Sequence, residues 1–92
     1  MSVYVDEARI KYGQMLMSHM VADSTEELLT MADRIGVARC WLQQPGTWRE
    51  HFDICMFKRK RALSLGAVAI NMVALGRILS QRRPRAVESP VV

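Results

Sequence analysis

The sequence predicts a small α/β protein: a single domain with a mixed sheet of about four short strands and three helices, in the order β-β-α-β-α-β-α. Three observations predict it. Short β-branched or apolar runs alternate with longer stretches of helical period. Capping side chains open the helical stretches, and glycines or an arginine-rich end close them. The length of 92 residues suits one domain. Residues 1–83 are expected to form it, with 84–92 as a flexible tail.

The first strand is VYVD (3–6), alternating and β-branched, and the second is MLMSHMVA (15–22). Both faces of the second are mostly apolar, which predicts cover on both sides. The short link between them, with Gly13, is too brief for a parallel crossover of roughly a dozen residues, so the pair should be antiparallel. In ADSTEELLTMADRIG, Ser24 with Glu27 fits a capping box, as does Asp23 with Glu26 one residue earlier. Leu28, Met31, Ala32 and Ile35 make one apolar stripe, and Gly36 is placed as a left-handed cap.

VARCWLQ (37–43) lies between that helix stop and the breaker Pro45-Gly46, and reads as a third strand. Asp53 is a plausible N-cap for a second helix ending at Gly66. AVAI (67–70) reads as a buried strand. Asn71 then caps a third helix with Met72, Leu75, Ile78 and Leu79 on its inner stripe, ended by Arg82, Arg83 and Arg85 around Pro84.

Composition excludes several classes. Half the residues are hydrophobic (50%) and 24% are charged, too apolar a chain for a disordered one. Cys40 and Cys55 are a poor basis for a disulfide framework and read as reduced, buried thiols of a cytoplasmic protein. No run has the shape of a signal peptide or the length of a membrane span. A net charge of +4 and a pI of about 9.6 favour acidic or phosphate-bearing partners, and argue against a mimic of DNA. So small a domain has a thin core, which a homodimer would supplement.

The second helix carries four consecutive cations, Lys58 to Arg61. Helix neighbours are about 100° apart, so four in a row cannot share one face. Stepping back from the apolar Ala62 and Leu65 puts Lys58 and Arg59 at the edge of the inward stripe and Lys60 and Arg61 outward. Lys58 and Arg59 can then cover the core with their stems, hold an anion at the mouth of the sheet, or pair with Asp53 or Glu50.

The two histidines fall beside the predicted caps: His19 four residues before Asp23, His51 two before Asp53. If the preceding strands run the same way, His19, Asp23, His51, Asp53, Lys58 and Arg59 can converge at the carboxyl ends of the strands. His19, His51 and Asp53 have the chemistry of ligands for a divalent metal ion, although no tight metal motif is present. A core histidine and plain helix caps are the structural alternatives. Asp6, at the end of the first strand, is expected at the opposite end from His19 and outside the cluster. Trp41 reads as core, and Trp48 in its Pro-Gly-Thr-Trp loop as an exposed contact. Arg77, Arg82 and Arg83 on the third helix are candidate phosphate contacts. The seven methionines read as core filler.

Together, VYVDE, SHMVAD, EEL, MADRIGVARCW, HFD and the KR pair before Gly66-Ala67-Val68 resemble a small bacterial and phage family, catalogued as a domain of unknown function, number four-zero-three-one. The resemblance runs from about Val3 to Ile70. It implies a compact α/β fold with a polar site at His19, His51, Asp53, Lys58 and Arg59, and no known substrate. The chain departs from the family at Leu29, where a histidine is usual.

Three functions are open. One is a binding module for a phosphate-bearing ligand, a nucleotide or nucleic acid. The second is a metal-assisted phosphoester hydrolase. The third is a phage accessory protein that binds and inhibits a host defence or nucleic-acid-processing complex.

Overall fold

The computed structural model describes residues 2–83. The tail expected over 84–92, with Arg85, lies outside the described residues. The elements are β1 (Val3–Val5), β2 (Ile10–Tyr12), β3 (Met15–Ala22), α1 (Thr25–Ile35), β4 (Phe52–Cys55), α2 (Met56–Ser64), β5 (Val68–Ala69) and α3 (Met72–Arg82). Three helices and a mixed sheet follow in the expected order, with one extra short strand, β2, in the first hairpin.

β3 organises the sheet. Met20 is paired with both Val5 and Phe52, and Met17 with both Ile10 and Cys55. A strand has only two edges, so β1 and β2 follow each other along one edge of β3 and β4 takes the other. β1 runs antiparallel to β3, as the short link requires, and parallel to β5 beyond it. Gly13, at φ +61, is the first residue of the two-residue turn between Tyr12 and Met15, where a II′ hairpin needs a positive φ.

Side chains alternate across a strand. Ser18, Met20 and Ala22 of β3, with Val3, Val5, Phe52 and Ile54 beside them, turn toward α1 and α2. There Met20, Phe52 and Ile54 meet Leu28, Met31, Ala32, Ile35 and Ala62 in one buried cluster. Met15, Met17, His19 and Val21 face the other way. β3 is covered on both sides only in its second half: Met20, Val21 and Ala22 are buried, whereas Met15 and Leu16 are exposed.

The expected caps close α1. Ser24 Oγ accepts from Glu27 N at 3.1 Å, and Gly36, at φ 83, returns its N–H to the last turn. Lys58 Nζ lies 2.9 Å from where a Cβ on Gly36 would stand, so this cation meets the negative end of α1. Asn71 caps α3 by accepting from Ala74 N at 2.8 Å. Leu75 is buried and Ile78 and Leu79 are half-buried, but Met72 turns out to solvent.

The structure differs from expectation at 37–43, at the start of α2 and at β5, whose Val68 and Ala69 are exposed rather than buried. Residues 37–43 hold a 3-10 turn, Arg39–Trp41, and a single bridge between Gln43 and His51. The edge of β3 is taken instead by FDIC, whose Phe52 and Ile54 are buried while Asp53 and Cys55 point away. Asp53 is therefore a strand residue, and α2 starts at Met56 with Cys55 as its cap residue. Arg39 bonds Asp33 of α1 at 3.1 and 2.7 Å where the chain turns back along the helix end. Cys40 is exposed and Cys55 half-buried, both as free thiols, so neither is the buried thiol expected.

The two phenylalanines test this division. Phe52 is 0% exposed and Phe57 71%. Urea unfolding should show Phe52→Ala losing about 3–5 kcal/mol, and Phe57→Ala losing no more than about 0.5 kcal/mol.

Candidate functional site

The face of the sheet away from α1 and α2 carries a row of polar side chains. It starts from a fault in the pairing of the first hairpin. Val5 lies opposite Met20 and Ile10 opposite Met17, so four residues, 6–9, stand against two, 18 and 19. Such a bulge re-aims side chains. Asp6 N still donates to His19 O at 3.0 Å, and His19 is paired with Asp53 on the other edge. Asp6, His19 and Asp53 thus lie side by side on one face.

Asp6 is fully buried, and a buried carboxylate must be met by donors. Its Oδ1 accepts from His19 N at 2.8 Å and Ala8 N at 3.2 Å, and its Oδ2 is 2.7 Å from His19 Nδ1. Ser18 Oγ donates to Ala8 O at 2.6 Å and Arg59 Nε to Asp6 O at 2.8 Å, which ties the bulge down from both sides. Because Asp6 is the acceptor, Nδ1 of His19 carries the proton and Nε2 is left free to face outward.

Nε2 of His19 is 3.8 Å from Asp53 Oδ1, and Nε2 of His51 is 3.5 Å from the same oxygen. The two rings meet edge to face with centroids 5.6 Å apart. The outer atoms are held as well: His51 Nδ1 donates to Arg49 O at 2.7 Å, and Gln43 Nε2 donates to Asp53 Oδ2 at 2.5 Å. A cleft of about 400 Å³ opens beside them. Its floor is Ile10, Tyr12, Met15, Met17, His19 and Asp53, and its rim is Val37, Trp41 and Gln43.

His19, His51 and Asp53 are therefore brought together, but across neighbouring strands rather than at strand tips, since His19 sits in mid-strand. Lys58 is not in the cluster: it lies with Phe57 and Arg61 against the end of α1. Arg59 lies behind the site, on the Asp6 carbonyl. As read from the stripe, Lys58 and Arg59 are half-buried and Lys60 and Arg61 exposed. Asp23 binds Ser2 N at 2.8 Å, and Ser24 is the cap residue.

Asp6 corrects the expectation that it lies away from His19. The antiparallel order holds, but β3 pairs first with β2, so the end of β1 reaches the middle of β3 rather than its far end. The tryptophans are also exchanged. Trp41 is 68% exposed at the cleft, and Trp48 is half-buried between the guanidinium groups of Arg49 and Arg83, 5.6 and 5.8 Å from its ring. Arg82 donates to Ala22 O, and Arg77 is exposed on α3. The hairpin around Gly13 is a signal that pairs the two segments, but its register alone sets Asp6 opposite Val21, and only the bulge brings it to His19. No comparable signal marks Gln43 or Trp41, whose placement depends on the turn at 39–41.

The sequence matches over residues 3–82 the family described as Protein of unknown function (DUF4031). The chain belongs to that family. No curated protein and no solved structure matches it. All of Asp6, His19, His51 and Asp53 lie inside the span shared with the DUF4031 family. Leu29 packs against the core on the helix side of the sheet. Leu29 is therefore on the opposite face from the histidines. Among the described residues no helix is long and apolar enough to cross a membrane.

Removing the Asp6 carboxylate strands two backbone N–H groups, so Asp6→Ala should cost about 2–4 kcal/mol in urea unfolding, against less than about 1 kcal/mol for the half-exposed Asp53→Ala. A second expectation concerns the turn that carries Trp41. The bond to Arg39 holds the Asp33 carboxyl below its ordinary 3.8, and Asp33 in turn raises Arg39. A carboxyl lowered by folding contributes stability above its unfolded pKa and loses it as pH falls through the folded value. Carbon-13 NMR titration should place the Asp33 midpoint below 3.8, and Arg39→Ala should return it to the ordinary value.

Proposed function

We propose that this protein is a metal-assisted phosphoester hydrolase in which His19, His51 and Asp53 hold one divalent ion. The observation that carries the reading is that two imidazole Nε2 atoms address one carboxylate oxygen, at 3.8 and 3.5 Å, while every outer atom of the trio is already bonded. Two ligands of one tetrahedral ion, each at about 2.1 Å, stand about 3.4 Å apart. As placed, no group of three His, Cys, Asp or Glu among the described residues could hold a metal ion. The fit therefore rests on donor chemistry and on the bonds behind the donors. Two histidines and a carboxylate suit zinc, manganese or ferrous iron, and histidine ligands characteristically have their second nitrogen on a carboxylate or carbonyl, as His19 and His51 do.

A divalent ion bound there would polarise a phosphoryl oxygen and make a bound water acidic. The chain's own part is positional. Asp6 keeps the His19 proton on Nδ1 so that Nε2 can donate its lone pair. Gln43 keeps one oxygen of Asp53 occupied and the other turned inward. The positive net charge favours an anionic substrate. A phosphate-binding module that works without metal is less well supported, because an anion in the cleft faces Asp53 while Lys58 and Arg59 are engaged elsewhere. The free thiols accord with a cytoplasmic setting.

Calorimetric titration with zinc or manganese should show one ion per chain, and His51→Ala and Asp53→Asn should each weaken binding at least about tenfold. Metal-loaded protein should cleave a generic phosphodiester, with His51→Ala slower by at least about tenfold. Equal rates for wild type and His51→Ala would remove the hydrolase reading.

A further inference from the structure

We infer that the phosphoester handled at this site carries a flat aromatic ring, and that Tyr12 and Trp41 select for it. The inference rests on the hydrolase reading above and adds the class of substrate to it.

The cleft has two kinds of lining. His19, Gln43 and Asp53 supply polar groups. Along the strands, Met17 beside Ile10 and then Met15 beside Tyr12 lead away from His19, and Val37 and Trp41 add apolar wall. Its volume of about 400 Å³ lies within the range of small-molecule sites and takes a ring together with a phosphoester. Tyr12 is 70% exposed and Trp41 68%, an unfavourable placement for two large rings unless something covers them. Aromatic faces stack on other flat rings, and the thioethers of Met15 and Met17 favour contact with ring edges.

Both rings stand on anchored backbone. Tyr12 is paired with Met15 beside the hairpin turn. Trp41 ends the 3-10 turn that Arg39 and Asp33 pin to α1. Two residues later, Gln43 pairs its backbone with His51 and gives its side chain to Asp53. The segment that presents Trp41 is thus the one that orients a proposed metal ligand. A ring seated against Trp41 would leave its phosphoester at the histidine end. That continuity favours a small-molecule ring over a second copy of the chain as the occupant.

The test uses the full chain with Trp48→Phe, which leaves Trp41 as the only tryptophan, with and without zinc or manganese. Adenosine 5′-monophosphate, phenyl phosphate and ribose 5-phosphate are the probes. The first two should quench Trp41 fluorescence saturably, the base-free sugar phosphate only at concentrations at least about tenfold higher, and their order separates a nucleoside ring from a simple aryl ring. By calorimetry, Trp41→Leu and Tyr12→Ala should each weaken adenosine 5′-monophosphate at least about fivefold. Equal affinity for the three probes overturns the inference. So does sedimentation showing that wild type is a dimer which Tyr12→Ala splits, with no ring-dependent binding. Ring-dependent binding without hydrolysis of any probe or of the generic phosphodiester removes the hydrolase reading and leaves the ring subsite standing. Hydrolysis without ring preference does the reverse.

Discussion

The structure depends on how one buried carboxylate is satisfied. Asp6 has no exposed surface, and an unpaired charge in that position would cost several kcal/mol. It is offset by the amides of His19 and Ala8 and by the His19 ring, and these bonds are available only because the chain bulges over residues 6–9. Without the bulge, the register of β2 would continue into β1 and set Asp6 opposite Val21 instead. The same few bonds therefore hold the register of the first hairpin, stop its regular pairing, and orient the imidazole that faces the cleft. Fold and site share a single set of contacts at this point, and a change in one is felt in the other.

Alternation along β4 shows a second form of that sharing. Phe52 and Ile54 close the core against the helices, while Asp53, between them, is turned to the opposite face beside His19. A four-residue strand thus contributes both to the buried core cluster and to the polar row. The loop before it is held in the same economical way. Glu50, itself buried, accepts from Gly46 N at 2.9 Å and from Thr25 Oγ1 at 2.5 Å, which ties the approach to β4 to the start of α1. His51 is delivered by a strand end fixed at both sides.

Much of the frame was legible because its signals are local. Capping at Ser24, the stop at Gly36, the stripe Leu28, Met31, Ala32 and Ile35, and the cap at Asn71 each depend on residues within one or two turns. The split of KRKR into two half-buried and two exposed cations followed from helical spacing alone. What misled was a competition between two local signals. Asp53 before a helical run resembles an N-cap, and that outweighed the alternation of FDIC, which is too short to assert a strand alone. Once β4 was overlooked, VARCWLQ was the only remaining run that could fill its place. Apolar character alone then points Trp41 to the core, whereas the 3-10 turn at Arg39–Trp41 leaves it exposed at the cleft.

By itself the sequence determined the fold class, the three helices with the caps of the first and third, the antiparallel first hairpin and the identity of the two histidines and Asp53 as candidate partners. These are set by periodicity, by capping chemistry and by loop length, all of which act over short spans of chain. Only the tertiary structure decided that Asp6 belongs beside His19, that Lys58 belongs to the end of α1, and which tryptophan is exposed. Each of those depends on register between strands or on a contact between distant segments, and a shift of two residues in pairing, invisible to any local pattern, changes which side chains meet.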